Sequence, residues 1–240
     1  MLKFLISDKM KLGFSPEALI NKSLLHETII ALVLFTYVLS IVYCTKFLYV
    51  FLRSKGLPHN VVVYYNRKLI HILTGGVVAL LVPSLFSGAA IPLIMALILA
   101  LITYLPHRRG KLMYWFQVKE NMYEVNFCIM WGVVITLSWL IFKDPIYGVI
   151  PLSFMSFGDA VTGIVRNMLF GKRTKHWIGN VAMLTVSLPI GAYFAGIAGL
   201  IAGLVASIIE RFEWKPIDDN VLISLVSFII LFIFGLMGYL

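Results

Sequence analysis

Long apolar blocks alternate with short charged intervals along the chain. A helix needs about 20 apolar residues to cross a bilayer. Six blocks have that character: residues 28–52, 69–86, 89–105, 125–142, 146–170 and 221–240. A seventh, 181–209, is too long for one upright helix and is interrupted by Pro189 and Gly191. It fits either one tilted span or a hairpin of two short ones. The pattern predicts an all-α, polytopic integral membrane helical bundle.

Charge placement separates the two arrangements. Cytoplasmic loops carry an excess of Lys and Arg. The intervals 46–68, 106–124, 166–180 and 210–220 hold 5, 4, 4 and 2 such residues, while the N-terminal segment and the turn at Lys143 hold 4 and 1. A hairpin collects the first four intervals on one side and the last two on the other. A single span moves the 210–220 interval across and weakens the bias. The expectation is about eight membrane segments with the N-terminus outside, or seven if 181–209 is one span. The hairpin also returns Glu210 and Asp218-Asp219-Asn220 to the side of Lys172. Residues 1–27 hold only short apolar stretches, broken by Lys3, Asp8, Lys9, Lys11, Gly13 and Pro16. They read as an amphipathic interfacial segment, not a signal peptide. Residues 28–240 then form a single membrane domain.

Composition agrees with this picture. The chain is 60% hydrophobic and 13% charged, with a mean hydropathy of +0.94. Soluble domains carry roughly 25% charged residues. The net charge of +9 suits cytoplasmic loops and anionic headgroups. No basic block is long enough, or interleaved with enough aromatics, to indicate nucleic acid. Cys44 and Cys128 lie in apolar runs without a CxxC partner, which argues against a zinc site.

Candidate chemistry starts at Asp159, the one acid in block 146–170. A carboxylate at membrane depth is costly, so a functional role is the default. Asp159, Thr162 and Arg166 share a helical face, and Gly158 and Gly163 permit close approach. Asp159 either holds a hard divalent cation such as Mg²⁺ or pairs with Arg166 to join helices. Arg67, Lys68 and His71 share a broad face where the second block opens. They form an anion pocket at a helix N-terminus, or else membrane anchors and a packed histidine. Residues 171–180 place Lys172, Arg173 and Lys175 between Gly171 and Gly179 without P-loop spacing. That loop either binds phosphate or is a plain positive loop. Glu210, Glu213, Asp218 and Asp219 are four of the 11 acids. They are either metal ligands and a general base or a solvated loop. Glu120 and Glu124 read as capping residues or a solvated face.

In their order along the chain, these segments resemble the dolichol kinase and phytol kinase family. The resemblance rests on Arg67-Lys68 with His71 opening an early span, and on Gly158-Asp159-Ala160 followed by Gly171-Lys172. It continues with Lys175, Trp177 and Gly179 in one loop, then Glu210, then Asp219-Asn220 before the last span. It covers about residues 67–220 and is shared, more distantly, with phosphatidate cytidylyltransferases. It implies CTP-dependent phosphorylation of a long isoprenoid alcohol (polyprenol, dolichol, geranylgeraniol or phytol type), with the active site on the cytoplasmic face. The expected partners are the bilayer, the alcohol and CTP.

On this reading, which joins the resemblance to the residues' own chemistry, Asp159, Asp218 and Asp219 hold Mg²⁺ or another divalent cation. Lys172, Arg173, Lys175, Gly179 and Asn220 bind the nucleotide, with Arg67, Lys68, His71 and Arg166 assisting. Asp159 or Glu210 takes the hydroxyl proton, ahead of His71. The chain departs from the family pattern at His176, Ile178 and Asn180. Ile178 replaces a Glu, so Glu210, Glu213 or Asp218 is expected to make up for it. Two alternatives are carried: a cytidylyltransferase making a CDP-activated lipid, and a non-enzymatic membrane protein or transporter.

Overall fold

The computed structural model describes residues 13–172, 174–214 and 217–240. Seven helices are long and apolar enough to cross a membrane. They are α1 Leu24–Ser54, α2 His59–Leu85, α3 Ala90–Arg108, α4 Tyr123–Phe142, α5 Ile146–Phe170, α6 Ile178–Ile209 and α7 Asp219–Leu236. Among the described residues there is no β-strand, only isolated bridges at Val118–Asn121 and Trp214–Ile217. Large apolar side chains such as Leu32, Phe47, Ile94, Tyr193 and Ile233 face outward. That is the surface expected where lipid is the solvent and backbone groups pair within helices. The protein is an integral membrane helical bundle.

α6 folds back on itself. Ala195 leaves helical dihedrals, and Gly196 adopts φ +53° and ψ −130°, where a side chain would be strained. Beyond this point the chain reverses. Gly191 and Gly199 pack backbone on backbone, so a Cβ on either would overlap the other's carbonyl. Ser187 Oγ donates to the Gly203 carbonyl at 3.2 Å, 16 residues on. Ser207 Oγ donates to the Asn180 carbonyl at 2.7 Å, 27 residues back. In a straight helix those pairs would be roughly 24 and 40 Å apart. Residues 178–194 and 197–209 are therefore antiparallel arms, joined closely by small residues. The tip lies beside Tyr147 and Tyr239, and Glu210 returns to the level of Asn180. Counting the two arms separately, the chain forms eight helical runs, and the doubling-back that its charge placement favours is present in the sixth of the seven long apolar helices.

α2 and α5 each contain a π-helical stretch, at His71–Gly76 and Phe154–Gly158. Such irregularities concentrate at functional sites. One begins at His71 and the other ends just before Asp159. Gly75 makes their packing possible, because a Cβ there would strike the Phe127 ring and crowd Ser156.

The described N-terminal segment closes the opposite end. Ser15 N–H donates to the Leu140 carbonyl at 2.9 Å, and Asn21 Nδ2 to the Gly88 carbonyl at 3.1 Å. Glu27 accepts from Ser87 Oγ at 2.6 Å. The first helix consequently starts at Leu24, four residues before the apolar block does. The expected interfacial segment 1–27 falls partly on residues 1–12, which lie outside the described residues.

Candidate active site

At the end away from Asn21, four helices bring acids and bases together. Asp159 follows the π-helical stretch of α5 and is buried. Lys68 of α2 donates to Asp159 Oδ2 at 2.5 Å. Its stem crosses α5 at Gly163, where a Cβ would collide with Lys68 Cε. Glu210 ends the return arm of α6, and Asp219 opens α7. One carboxylate oxygen from each of Asp159, Glu210 and Asp219 lies within 4.8 Å of the other two, and all three residues are buried.

Three cations surround these acids. Lys175 Nζ donates to Asp219 Oδ2 at 2.8 Å, to Glu210 Oε1 at 3.0 Å and to the Glu210 carbonyl at 2.6 Å. Arg166 Nη1 donates to Glu210 Oε1 at 2.8 Å. Its Nε donates to the His176 carbonyl at 2.7 Å and its Nη2 to Asn180 Oδ1 at 3.0 Å. Burial acts to lower the Lys175 pKa, but Asp219 and Glu210 together outweigh it and raise the value. The ammonium is therefore firmly charged.

Asp159 and Arg166 do not pair with each other. Asp159 takes Lys68 and Arg166 takes Glu210, so the Asp159–Arg166 clasp allowed by their spacing gives way to two cross-helix pairs. Lys172 is exposed on the loop, whereas Lys175 turns inward. Arg173 lies outside the described residues. Asp218, expected among the metal ligands, instead caps α7. It accepts from Val221 N–H at 3.2 Å and from Asn126 Nδ2 at 3.0 Å. Burial, then the Asp219 charge, push its carboxyl up to about 7. Asn220 Nδ2 donates to the Tyr123 carbonyl at 3.2 Å and to Asp218 Oδ2 at 3.4 Å, tying α7 to α4. Gly179 lies directly under Arg166, where a Cβ would strike the guanidinium. Of the three acids expected to make up for Ile178, only Glu210 joins the group. Glu213 accepts from Tyr123 Oη at 2.8 Å and Asp218 caps.

A second feature adjoins this group and was missed in the sequence. α1 to α4 line an apolar, partly open cavity of about 110 Å³. Its charged exceptions are Arg67, His71 and Glu124. Arg67 lies over the Tyr123 ring at 4.3 Å and near the Tyr64 ring at 5.3 Å. His71 stacks on Phe127 with ring centroids 4.0 Å apart. Glu124 Oε1 accepts from Gln117 Nε2 at 2.7 Å and pairs with His107 Nε2 at 2.5 Å. Glu124 looked like a cap because its partners are remote in sequence. Only the pairing of Arg67 and His71 on one face hinted at the cavity.

The donor set fits a divalent cation. Three carboxylates offer the hard oxygen donors that Mg²⁺ prefers, and the flanking lysines suit phosphates that would complete its shell. Comparison with known protein families, with curated proteins and with solved structures finds no match.

Proposed function

We propose that the protein is a lipid-alcohol kinase, moving the γ-phosphoryl group of CTP to the hydroxyl of a long isoprenoid alcohol at the cytoplasmic face of its membrane. One observation carries the reading. Asp159, Glu210 and Asp219 converge within 4.8 Å in a buried setting, ringed by Lys68, Arg166 and Lys175. As a purely structural device this is poor economy, since apolar residues of similar size hold helices together at least as well as buried ion pairs. As a site for phosphate chemistry it is apt, because such catalysis is chiefly positioning and charge neutralisation.

Asp159, Glu210 and Asp219 would hold the divalent cation, which when bound neutralises charge on the nucleotide phosphates. Lys68 and Lys175 carry three donors each and can turn from carboxylate to phosphate oxygens. Arg166, anchored at three points, keeps Glu210 and the 174–180 loop in place. In the reaction the alcohol oxygen bonds to the γ-phosphorus and the bridging β–γ P–O bond breaks. CDP leaves with that electron pair, and the hydroxyl proton passes to Asp159 or Glu210. The choice of CTP and of an isoprenoid acceptor follows the family resemblance. The charged group and the apolar cavity meeting at α2 support a polar donor and an apolar acceptor.

The test is the purified protein in lipid nanodiscs with CTP, Mg²⁺ and a panel of isoprenoid alcohols. CDP and a lipid monophosphate are expected in equal amounts. Pyrophosphate with a CDP-lipid from a phosphorylated substrate would replace the reading with the cytidylyltransferase. No nucleotide turnover with any alcohol or lipid phosphate would overturn it.

A further inference from the structure

We infer that the ends of α1 and α3, with the 109–116 segment that follows α3, form a binding surface for an anionic phospholipid of the surrounding bilayer, its phosphate held at Lys46 beside Tyr114 and Trp115. The inference does not depend on the proposed function.

The distribution of charge calls for an anion here. Residues 28–119 contain nine Lys and Arg and no acid, whereas the rest of the chain holds 11 of each. The whole net charge of +9 therefore comes from this stretch. Membrane orientation accounts for extra cations at one end of the bundle, but not for a half of it that lacks acids altogether. Two of the nine, Arg67 and Lys68, are buried. The other seven are exposed. Among the described residues none of those seven forms an ion pair. Elsewhere at the same end cations meet acids, as Arg166 meets Glu210 and Lys175 meets Asp219.

Local packing turns the excess into a site. Tyr49 of α1 meets the Tyr114 ring edge-on, with centroids 5.4 Å apart, and its hydroxyl bonds to His59 Nδ1 at 2.7 Å. Trp115 Nε1 donates to the Val42 carbonyl at 3.0 Å. Asn66 Nδ2 donates to the Trp115 carbonyl at 3.0 Å and to the Thr45 carbonyl at 2.7 Å. The 109–116 segment is thus pinned against α1 and α2. Lys46 Nζ lies 5.5 Å from the Trp115 ring centroid and 6.0 Å from that of Tyr114. Trp115 is buried and forms a fixed wall, while Lys46 and Tyr114 are exposed.

Depth identifies the partner. Lys46 stands eight residues before Ser54, where α1 ends, which is roughly 12 Å along the axis. Tyr43 and Phe47 beside it are exposed, as side chains facing acyl chains are. A lysine at this level extends its ammonium toward the headgroups, and aromatic rings gather at the same level. Arg53, Lys55, Arg108, Arg109 and Lys111 lie beyond it, at or past the helix ends. A soluble anion would meet those outer cations first. An anion that reaches Lys46 comes from within the bilayer, with its chains running down past Phe47 and Tyr43. Basic pockets beside membrane helices recruit anionic headgroups in this way. A zwitterionic headgroup would bring its own ammonium against the same cations and gain less.

The test is photolabelling of the full-length protein in phosphatidylcholine nanodiscs that contain a trace of phosphatidylglycerol with a diazirine near its headgroup. Adducts are expected on Tyr43, Phe47 and Tyr114. Unlabelled phosphatidylglycerol should compete about fivefold better than phosphatidylcholine or more, and the advantage should shrink as salt is raised. Lys46→Ala should lower that preference about fivefold, the effect of one cation at a membrane surface. Lys46→Arg should keep it, Arg108→Ala should give a smaller loss, and Lys172→Ala should leave it unchanged. Melting temperatures report whether each variant folds. Equal competition by the two lipids, or an undiminished preference in both Lys46→Ala and Arg108→Ala, would overturn the inference. Displacement of the label by inorganic phosphate would also overturn it, by marking a site for a soluble anion. Adducts confined to residues 168–177 and 212–217 would do the same, by showing general attraction to basic loops.

Discussion

Lys68 and Asp159 show most directly what single residues contribute. Each is buried and each is the other's close partner, at 2.5 Å. Removing one leaves a bare charge, which in buried pairs costs about 3–5 kcal/mol. Asp159→Asn is expected to lower the melting temperature and to abolish turnover. Adding Lys68→Met should recover most of the stability, since replacing a buried pair with apolar groups is near neutral, and should recover no activity. A double-mutant cycle on thermal unfolding and turnover checks both halves. An active Asp159→Asn protein would remove that residue's catalytic assignment.

The lysines of the 171–180 loop illustrate the limit of letters. Spacing and resemblance name Lys172 and Lys175 alike, yet of the two only Lys175 reaches Glu210 and Asp219. Gly171, at φ +62°, ends α5, so the chain leaves the helix before it can turn a side chain inward. Nothing in a run of three cations says which will face the acids. Lys175→Met is expected to lower kcat/KM for the nucleotide by well over tenfold, in keeping with the roughly 2–5 kcal/mol of a truncated buried charge pair. Lys172→Met should change it less than about twofold, as an exposed charge does. Equal losses would contradict the geometry.

At the scale of elements, the hairpin of α6 decides whether the site exists. If residues 178–209 ran straight, Glu210 would lie some 40 Å or more from Asn180, and Arg166 would face no acid. The hairpin was legible because charge placement asked for it and because Pro189 and Gly191 interrupt a run too long for one upright helix. The π-helical stretches were not legible. They depend on the fit of Gly75 against Phe127 and on packing between α2 and α5, which no single-helix periodicity records. Gly199→Leu is expected to force the arms apart, because a Cβ there already overlaps the Gly191 carbonyl. Overpacking of this kind costs about 1–3 kcal/mol or more, and here it also withdraws Glu210. The variant should lose thermal stability and divalent-cation binding together. Gly196→Ala, strained by its positive φ but in open space, should cost about 1–3 kcal/mol and keep the cation. Paired melting curves and Mn²⁺ titrations distinguish the two.

For the molecule as a whole, the carboxylate group joins distant stretches of chain. Asp159, Glu210 and Asp219 come from α5, α6 and α7, and Lys68 joins them from α2. A ligand binding there bridges the last three helices, so its binding energy becomes stability of the bundle. At a hundred times its dissociation constant a ligand adds about 2.7 kcal/mol, or roughly 5–10 °C for a chain of this size. Mn²⁺ with a non-hydrolysable CTP analogue should raise the melting temperature by that order. The shift should vanish in Asp219→Asn. It should persist in Asp218→Asn, because Asn caps a helix about as well as Asp and Asp218 stands outside the carboxylate group. The comparison is demanding, since the two substitutions are adjacent and chemically identical. Only the direction in which the start of α7 points each carboxyl separates them. Electron paramagnetic resonance of bound Mn²⁺ reads the cation directly, independent of turnover. Loss of the signal in Asp218→Asn with retention in Asp219→Asn would invert the assignment and, with it, the proposed site.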